Sequence, residues 1–294
     1  MFSISEAENR LLQKYIQLSI QEDQQDPLGL ILPGDHSALA CLPATQNGAA
    51  KLLVKSDGVI AGIELAKMIA HEIDANLVIE QLMQDGDEMK FGDMAFTLHG
   101  SERSILAAER IILNCMQRMS GIATTTKAYT SAVAHTQARV LDTRKTTPNF
   151  RVFEKWAVRI GGGYNHRFGL YDMIMLKDNH IDFCGGVSKA ILAVKEYQEN
   201  KGLKLKVEVE SRNLDDVKAI LDTGFCDRVM FDNFSVEKTE EAVALVNGKI
   251  ETESSGGITL DTIVAYAETG VDFISVGALT HSSRSLDLSL KAIK

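Results

Sequence analysis

From residue 206 onward, apolar and polar positions follow a repeating pattern. Short runs rich in β-branched residues, KVEVE (206–210), RVMFD (228–232), KIETE (249–253) and FISVG (273–277), recur about every 22 residues and read as strands. Between them, apolar residues fall at helical spacing over 214–221, 236–246 and 260–267. Each of these stretches closes on a glycine, Gly224, Gly248 or Gly270, where a left-handed C-cap is wanted. Upstream, RVLDT (139–143) and DMIMLK (172–177) read as two more strands, with helices after Pro148 and after Gly186. Proline suits a first helical turn, and Gly161-Gly162-Gly163 stops the helix that follows it. Strands separated by helices at this spacing imply parallel pairing through right-handed crossovers. Six such units predict a βα barrel or an open parallel sheet.

The first third of the chain breaks the pattern. MFSISEAENRLLQKYIQLSI (1–20) predicts an amphipathic helix, and Asp57-Gly58 between the apolar runs of 52–65 is a hairpin signal. Residues 76–100 supply two or three further strands, and 105–133 one or two long helices. The organisation expected is an α+β domain over 1–112, a catalytic barrel over 113–280, and a C-terminal helix over 281–294 packing back on the N-terminal domain.

Composition narrows the function. A hydrophobic content of 45% in 294 residues supports a large folded core. No stretch is apolar enough to be a membrane span, and the N-terminus lacks the pattern of an export signal. The four cysteines, Cys41, Cys115, Cys184 and Cys226, lie far apart with no C-x-x-C pair, so a reducing cytoplasm is expected. A net charge of −9 argues against a nucleic-acid binder. Between Arg139 and Lys177, however, eight Lys and Arg face three acids, and this reversal reads as a pocket for a small anion.

Three groups of cations fall there. Arg144 and Lys145 follow a strand, where two charged donors can grip a carboxylate or phosphate, unless they simply line a solvated loop. Gly161-Gly162-Gly163 allows close backbone approach and delivers His166 and Arg167. Lys177 ends an apolar strand, as a ligand-facing cation, a Schiff-base nucleophile or a solvated terminus. Glu210 and Asp232 close neighbouring strands and suit a hydrated Mg²⁺ that bridges phosphate oxygens, although mutual neutralisation with the cations would also account for them. Ser255, Gly256, Gly257 and Gly277 follow the last strands, a frequent phosphate position in barrels.

These segments, in order Ala108-Glu109-Arg110, DTRKTTP, GGGYNHRFGLYDMIMLKDNHI, VEVE, FDN, SSGGI and SVGALTHS, resemble the nicotinate-nucleotide pyrophosphorylase, or quinolinate phosphoribosyltransferase, family over essentially the whole chain. The resemblance implies an N-terminal open-faced sandwich and an incomplete, seven-stranded α/β barrel, assembled as a homodimer or larger. It implies conversion of quinolinate and phosphoribosyl pyrophosphate to nicotinate mononucleotide, pyrophosphate and CO₂ in NAD biosynthesis, with Mg²⁺ as cofactor. Quinolinate binding carries over to Arg144, His166, Arg167 and Lys177, and to Arg110, which would serve the neighbouring subunit's site. Lys145, Lys177, Glu210 and Asp232 would be catalytic, the two carboxylates holding the metal directly or through water, and Ser255, Gly256, Gly257 and Gly277 would bind phosphate. The sequence departs from the family at Asn149, where many members have Gly, and at Tyr164, where a small residue or His is usual. Competing readings are a paralogue acting on another anionic acceptor, a Schiff-base aldolase built on Lys177, and a non-catalytic binder of phosphorylated ligands.

Overall fold

The computed structural model describes residues 6–293. In chain order they form helices α1 (Glu6–Gln24) and α2 (His36–Cys41), strands β1 (Asn47–Val54) and β2 (Gly58–Val59), and helix α3 (Ile63–Ile73). Strands β3 (Val78–Gln81), β4 (Glu88–Met89) and β5 (Met94–Ser101) lead to the 31-residue helix α4 (Glu102–Ala132). Then come β6 (Arg139–Leu141), α5 (Arg151–Ile160), β7 (Ile174–Leu176), α6 (Asp178–Cys184), α7 (Val187–Lys201), β8 (Val207–Ser211) and α8 (Leu214–Thr223). The chain ends with β9 (Arg228–Asp232), α9 (Val236–Val246), β10 (Glu251–Ser255), α10 (Ile263–Glu268), β11 (Phe273–Ser275), α11 (Ala278–His281) and β12 (Leu288–Ile293). The helix expected from residue 1 is present from Glu6, and residues 1–5 of that expectation lie outside the described residues. No helix among the described residues is long and apolar enough to cross a membrane.

The chain divides into two compact units. The first comprises residues up to Lys127, Thr146–Gly162 and the segment from Thr280, and the second comprises Ala128–Lys145 and Gly163–Leu279. The boundary expected at 112 thus falls at 127, because the buried residues Ile105, Ala108, Ile112, Met116 and Met119 recur at three- and four-residue spacing and keep most of α4 in the first core.

The first unit is built on an antiparallel sheet of order β12-β1-β5-β3. Ala50, Leu52 and Val54 of β1 alternate into its core. Two expectations need correction here. Asp57-Gly58 does not turn a hairpin: both edges of β1 are occupied, by β5 and β12, so Gly58–Val59 pairs instead with Glu88–Met89. Nor do the described residues from 282 to 293 form the helix expected there. Leu288 and Leu290 alternate with polar neighbours, and this period of two places them in the core as β12, antiparallel to β1.

The second unit carries a parallel sheet of order β6-β11-β10-β9-β8-β7. That order is cyclic: successive strands are neighbours from β7 to β11, and β11 then pairs with the first strand, β6. Among the described residues this sheet has six parallel strands. Between β6 and β7 stands one parallel bridge, Leu141 to Tyr164, with Tyr164 N–H donating to Val140 O at 2.8 Å and Asp142 N–H to Tyr164 O at 3.0 Å. The ladder stops there because Asn165 Nδ2 and the His166 amide are drawn to the Asp142 carboxylate, at 2.6 and 2.8 Å. Glycine caps operate as expected at Gly224 (φ +62°), whereas Asn247 (φ +47°) takes the cap of α9 one residue before Gly248.

Candidate active site

Register decides which side chains share a face. Glu208 pairs with Arg228, Arg228 with Glu251, Met230 with Glu253, and Asp232 with Ser255. In a parallel sheet, paired residues point the same way, and so do residues two apart on one strand. Glu208, Glu210, Arg228, Asp232, Glu251, Glu253 and Ser255 therefore line one face, while Val207, Val209, Val229 and Phe231 line the other and are buried to 2% exposure or less. The C-terminal edge of the charged face carries Glu210, Asp232 and Ser255, and Lys177 follows β7 on the same edge.

At that edge Lys177 forms an ion pair with Glu210, whose second oxygen accepts the Asp178 amide at 3.3 Å. Lys177 N–H donates to His180 Nδ1 at 3.0 Å, which fixes the start of α6. Arg167 is half-buried and donates to Met173 O at 3.3 Å. Burial, and then the charge of Arg144, hold its guanidinium below the usual arginine range. Two like charges kept this close favour an anion between them. Lys145 is exposed, its amide donating to Thr143 Oγ1 at 3.0 Å. Asp232 is half-buried and accepts from Asn233 Nδ2 at 3.0 Å.

The turns after β10 and β11 complete the edge. Gly256 adopts φ +103°, and a Cβ there would stand 2.2 Å from Asn233 Oδ1, so both backbone and space demand glycine. Gly257, at φ +61°, faces open space, and Gly277 is half-buried.

His166 is placed differently from the other expected ligands. It is buried, with Nδ1 accepting the Arg167 amide at 2.7 Å and Nε2 lying 3.0 Å from Glu208 Oε2 and 3.7 Å from Glu253 Oε2. Behind it, Arg228 Nη1 donates to Glu253 at 2.8 Å and Nη2 to Glu251 at 2.9 Å, while its guanidinium stacks 3.9 Å from the Phe273 ring. Burial pushes the Glu208 carboxyl up to about 7. Burial, with the neighbouring charge of Glu208, does the same for Glu253. One ring nitrogen and two carboxylates within 4.8 Å could hold a metal ion. Arg228 already supplies the cation at this point, so the group is better described as an ionic network. Asp142, Glu208, Arg228 and Glu253 were missed as site residues in the sequence. Glu208 alone carried part of a signal, alternating with valine beside Glu210 in VEVE, whereas Asp142 follows a strand, Arg228 begins one and Glu253 sits among Thr and Ser.

Within the first unit, Arg110 is exposed on α4. Glu154, fully buried on α5, accepts from Arg118 Nη2 at 2.9 Å and from the amide and hydroxyl of Thr147 at 3.1 and 2.9 Å, pinning the segment before α5. Asn149, in that segment, adopts φ +61°. This is a conformation that Gly and Asn share, which explains the departure from the family's glycine.

A family model described as the quinolinate phosphoribosyl transferase C-terminal domain matches residues 122–291, and the corresponding N-terminal model matches 35–120. The chain belongs to the quinolinate phosphoribosyltransferase family. Similar family members include quinolinate phosphoribosyltransferase (decarboxylating) 1b of Nicotiana tabacum, 46% identical over 95% of this chain and 82% of that one. The chloroplastic nicotinate-nucleotide pyrophosphorylase (carboxylating) of Arabidopsis thaliana is 43% identical over the same shares. The crystal structure of NadC from Streptococcus pyogenes superposes with a TM-score of 0.88 at 36% identity, covering both chains fully (100% of each). The parallel sheet of the second unit and the separate antiparallel sheet of the first are thus a fold of this family.

Proposed function

We infer that the protein converts quinolinate and phosphoribosyl pyrophosphate to nicotinate mononucleotide, pyrophosphate and CO₂, a step of NAD biosynthesis. The observation that carries this reading is the division of one sheet edge into two halves. Arg144, Arg167 and Lys177, with Lys145 alongside, form a cationic half suited to the two adjacent carboxylates of quinolinate. Ser255, Gly256, Gly257 and Gly277, of which Gly257 is exposed and the others half-buried, make up a half suited to phosphate. Lys177 paired with Glu210 is the reverse of the desolvated setting a Schiff-base lysine needs, which disfavours the aldolase reading.

Transfer to ribose C1 passes through an oxocarbenium-like state, so the residues have to orient the pyridine nitrogen and hold a departing pyrophosphate rather than supply a strong nucleophile. Once the ring nitrogen is alkylated, the positive ring accepts the electrons released as the 2-carboxylate leaves. Arginines that fix both carboxylates keep that group aligned with the ring.

The oxygen-only donors Glu210 and Asp232, on adjacent strand ends, fit Mg²⁺ held directly or through water. When bound, the ion would neutralise charge developing on pyrophosphate. The cyclic sheet order, with Tyr164 in its gap, supports an incomplete barrel of seven strands, and the sheet of the first unit supports an open-faced sandwich. We place the protein in the cytoplasm as a homo-oligomer in which Arg110 serves the neighbouring subunit's site, with no nucleic-acid or membrane partner. Parallel assays with quinolinate and nicotinate as acceptors test the reading. Product from quinolinate supports it, and turnover of nicotinate alone overturns it.

A further inference from the structure

Resting on the reading above, we infer that His166 is a positioning residue and not a quinolinate ligand. Its neutral ring, seated on Glu208 with Glu253 and Arg228 behind, fixes the main chain from which Arg167 reaches the dicarboxylate.

An imidazole nitrogen that accepts a backbone N–H carries no proton, and Nδ1 of His166 accepts the Arg167 amide at 2.7 Å. The ring is therefore the neutral Nε2–H tautomer. Its one N–H edge faces the interior, 3.0 Å from Glu208 Oε2, and the side chain is 6% exposed. That edge is buried against the Glu208 carboxylate, so it reaches a substrate carboxylate only if the ring leaves the position in which Nδ1 holds the Arg167 amide. The main chain is held from the other side as well: the His166 amide donates to Asp142, itself fully buried, at 2.8 Å. Residues 166 and 167 are thus clamped between a strand-end carboxylate and a buried imidazole.

The network behind the ring reaches across the sheet. Glu208 on β8 lies opposite Arg228 on β9, Arg228 donates to Glu253 on β10, and its guanidinium lies on Phe273 of β11. Buried ion pairs of this kind are often no more stabilising than well-packed apolar residues of the same volume. Stability alone gives little reason to place four charged or polar side chains here, whereas precise placement of a guanidinium does. Arg167 needs such placement, since it approaches Arg144 against charge repulsion.

The test combines steady-state kinetics on Glu208→Ala and Glu208→Gln with nitrogen NMR of histidine-labelled wild-type enzyme, with and without quinolinate. Gln keeps the size and an oxygen acceptor. The inference expects Glu208→Ala to raise the KM for quinolinate about 10- to 100-fold while the KM for phosphoribosyl pyrophosphate changes less than about twofold, with Glu208→Gln restoring most of the loss. It expects the His166 ring to show one protonated and one unprotonated nitrogen, unchanged on saturation with quinolinate. Equal rises in both KM values, or an unchanged KM for quinolinate in Glu208→Ala, overturn it. So does a His166 ring that gains a second proton or a new hydrogen bond when quinolinate binds. Should Glu208→Ala fail to fold, the wild-type spectra still decide the tautomer. Lack of turnover of quinolinate by the wild type would count against the proposed reaction instead, and the ligand-free spectrum would still test the tautomer.

Discussion

Burial and the nearby charge of Arg144 lower the affinity of Arg167 for its proton, partly offset by Glu208, Asp172 and Glu210, so a further anion at this point is favoured. Shortening either donor should therefore be felt in binding. Arg167→Lys keeps the charge but loses the planar fork, and is expected to raise the KM for quinolinate about 10- to 100-fold, the equivalent of roughly 1.5–3 kcal/mol for a charged hydrogen bond. Steady-state kinetics would show this, and an unchanged KM would remove Arg167 from the binding site. Glu253 makes a prediction of a different kind. Its carboxyl is raised to about 7 in the folded protein, chiefly by burial, against an ordinary value of 4.5. Between these values the folded state holds a proton that the unfolded chain has released, so the contribution to stability is full below the lower value and is lost as pH rises through the upper one. Urea unfolding should show stability falling over this window, by at most about 1.4 kcal/mol per pH unit for one proton, and the slope should shrink in Glu253→Gln. An identical slope in the variant would contradict the assignment.

Among the elements, β8 was legible because VEVE alternates cleanly, β9 because RVMFD is a short apolar run bounded by charges, and α9 because its apolar residues recur at helical spacing. β10 sits two residues later than the alternation suggested, at Glu251–Ser255, because register with β9 and not local pattern sets its ends. The hairpin at Asp57-Gly58 and the terminal helix were misread for a related reason: both depend on which edge of β1 is free, a fact of the assembled sheet. The cations of the edge could be read because loops after strands expose them. The charges beneath could not, since a charge inside a strand finds its partner only through pairing across strands. The turn after β10 is the element with least tolerance. Gly256→Ala is expected to raise the KM for phosphoribosyl pyrophosphate at least about tenfold and to cost roughly 1–3 kcal/mol of stability, because a Cβ would strike Asn233 in a backbone region closed to alanine. Kinetics and thermal unfolding check the two parts separately. Wild-type values for both would show the turn to be permissive.

On the scale of the whole molecule, the proposed function has Arg110, in the segment Ala108-Glu109-Arg110 that resembles the family, serve the site of a neighbouring subunit. Arg110→Ala and Lys177→Ala should each be inactive alone. Mixed and reassembled, they should regain about a quarter of wild-type activity, since random pairing into dimers makes half of them hybrids with one intact site each. No regain in demonstrated hybrids would mean that each chain completes its own site. The central claim, however, is the coupling of ribosyl transfer to decarboxylation on one sheet edge. The most direct test uses quinolinate labelled in its 2-carboxylate, incubated with the enzyme and Mg²⁺, with and without phosphoribosyl pyrophosphate. Labelled CO₂ released only when phosphoribosyl pyrophosphate is present, and in equal amount to pyrophosphate and nicotinate mononucleotide, is the result expected. Label released without phosphoribosyl pyrophosphate, or pyrophosphate formed with the label retained, would contradict the account.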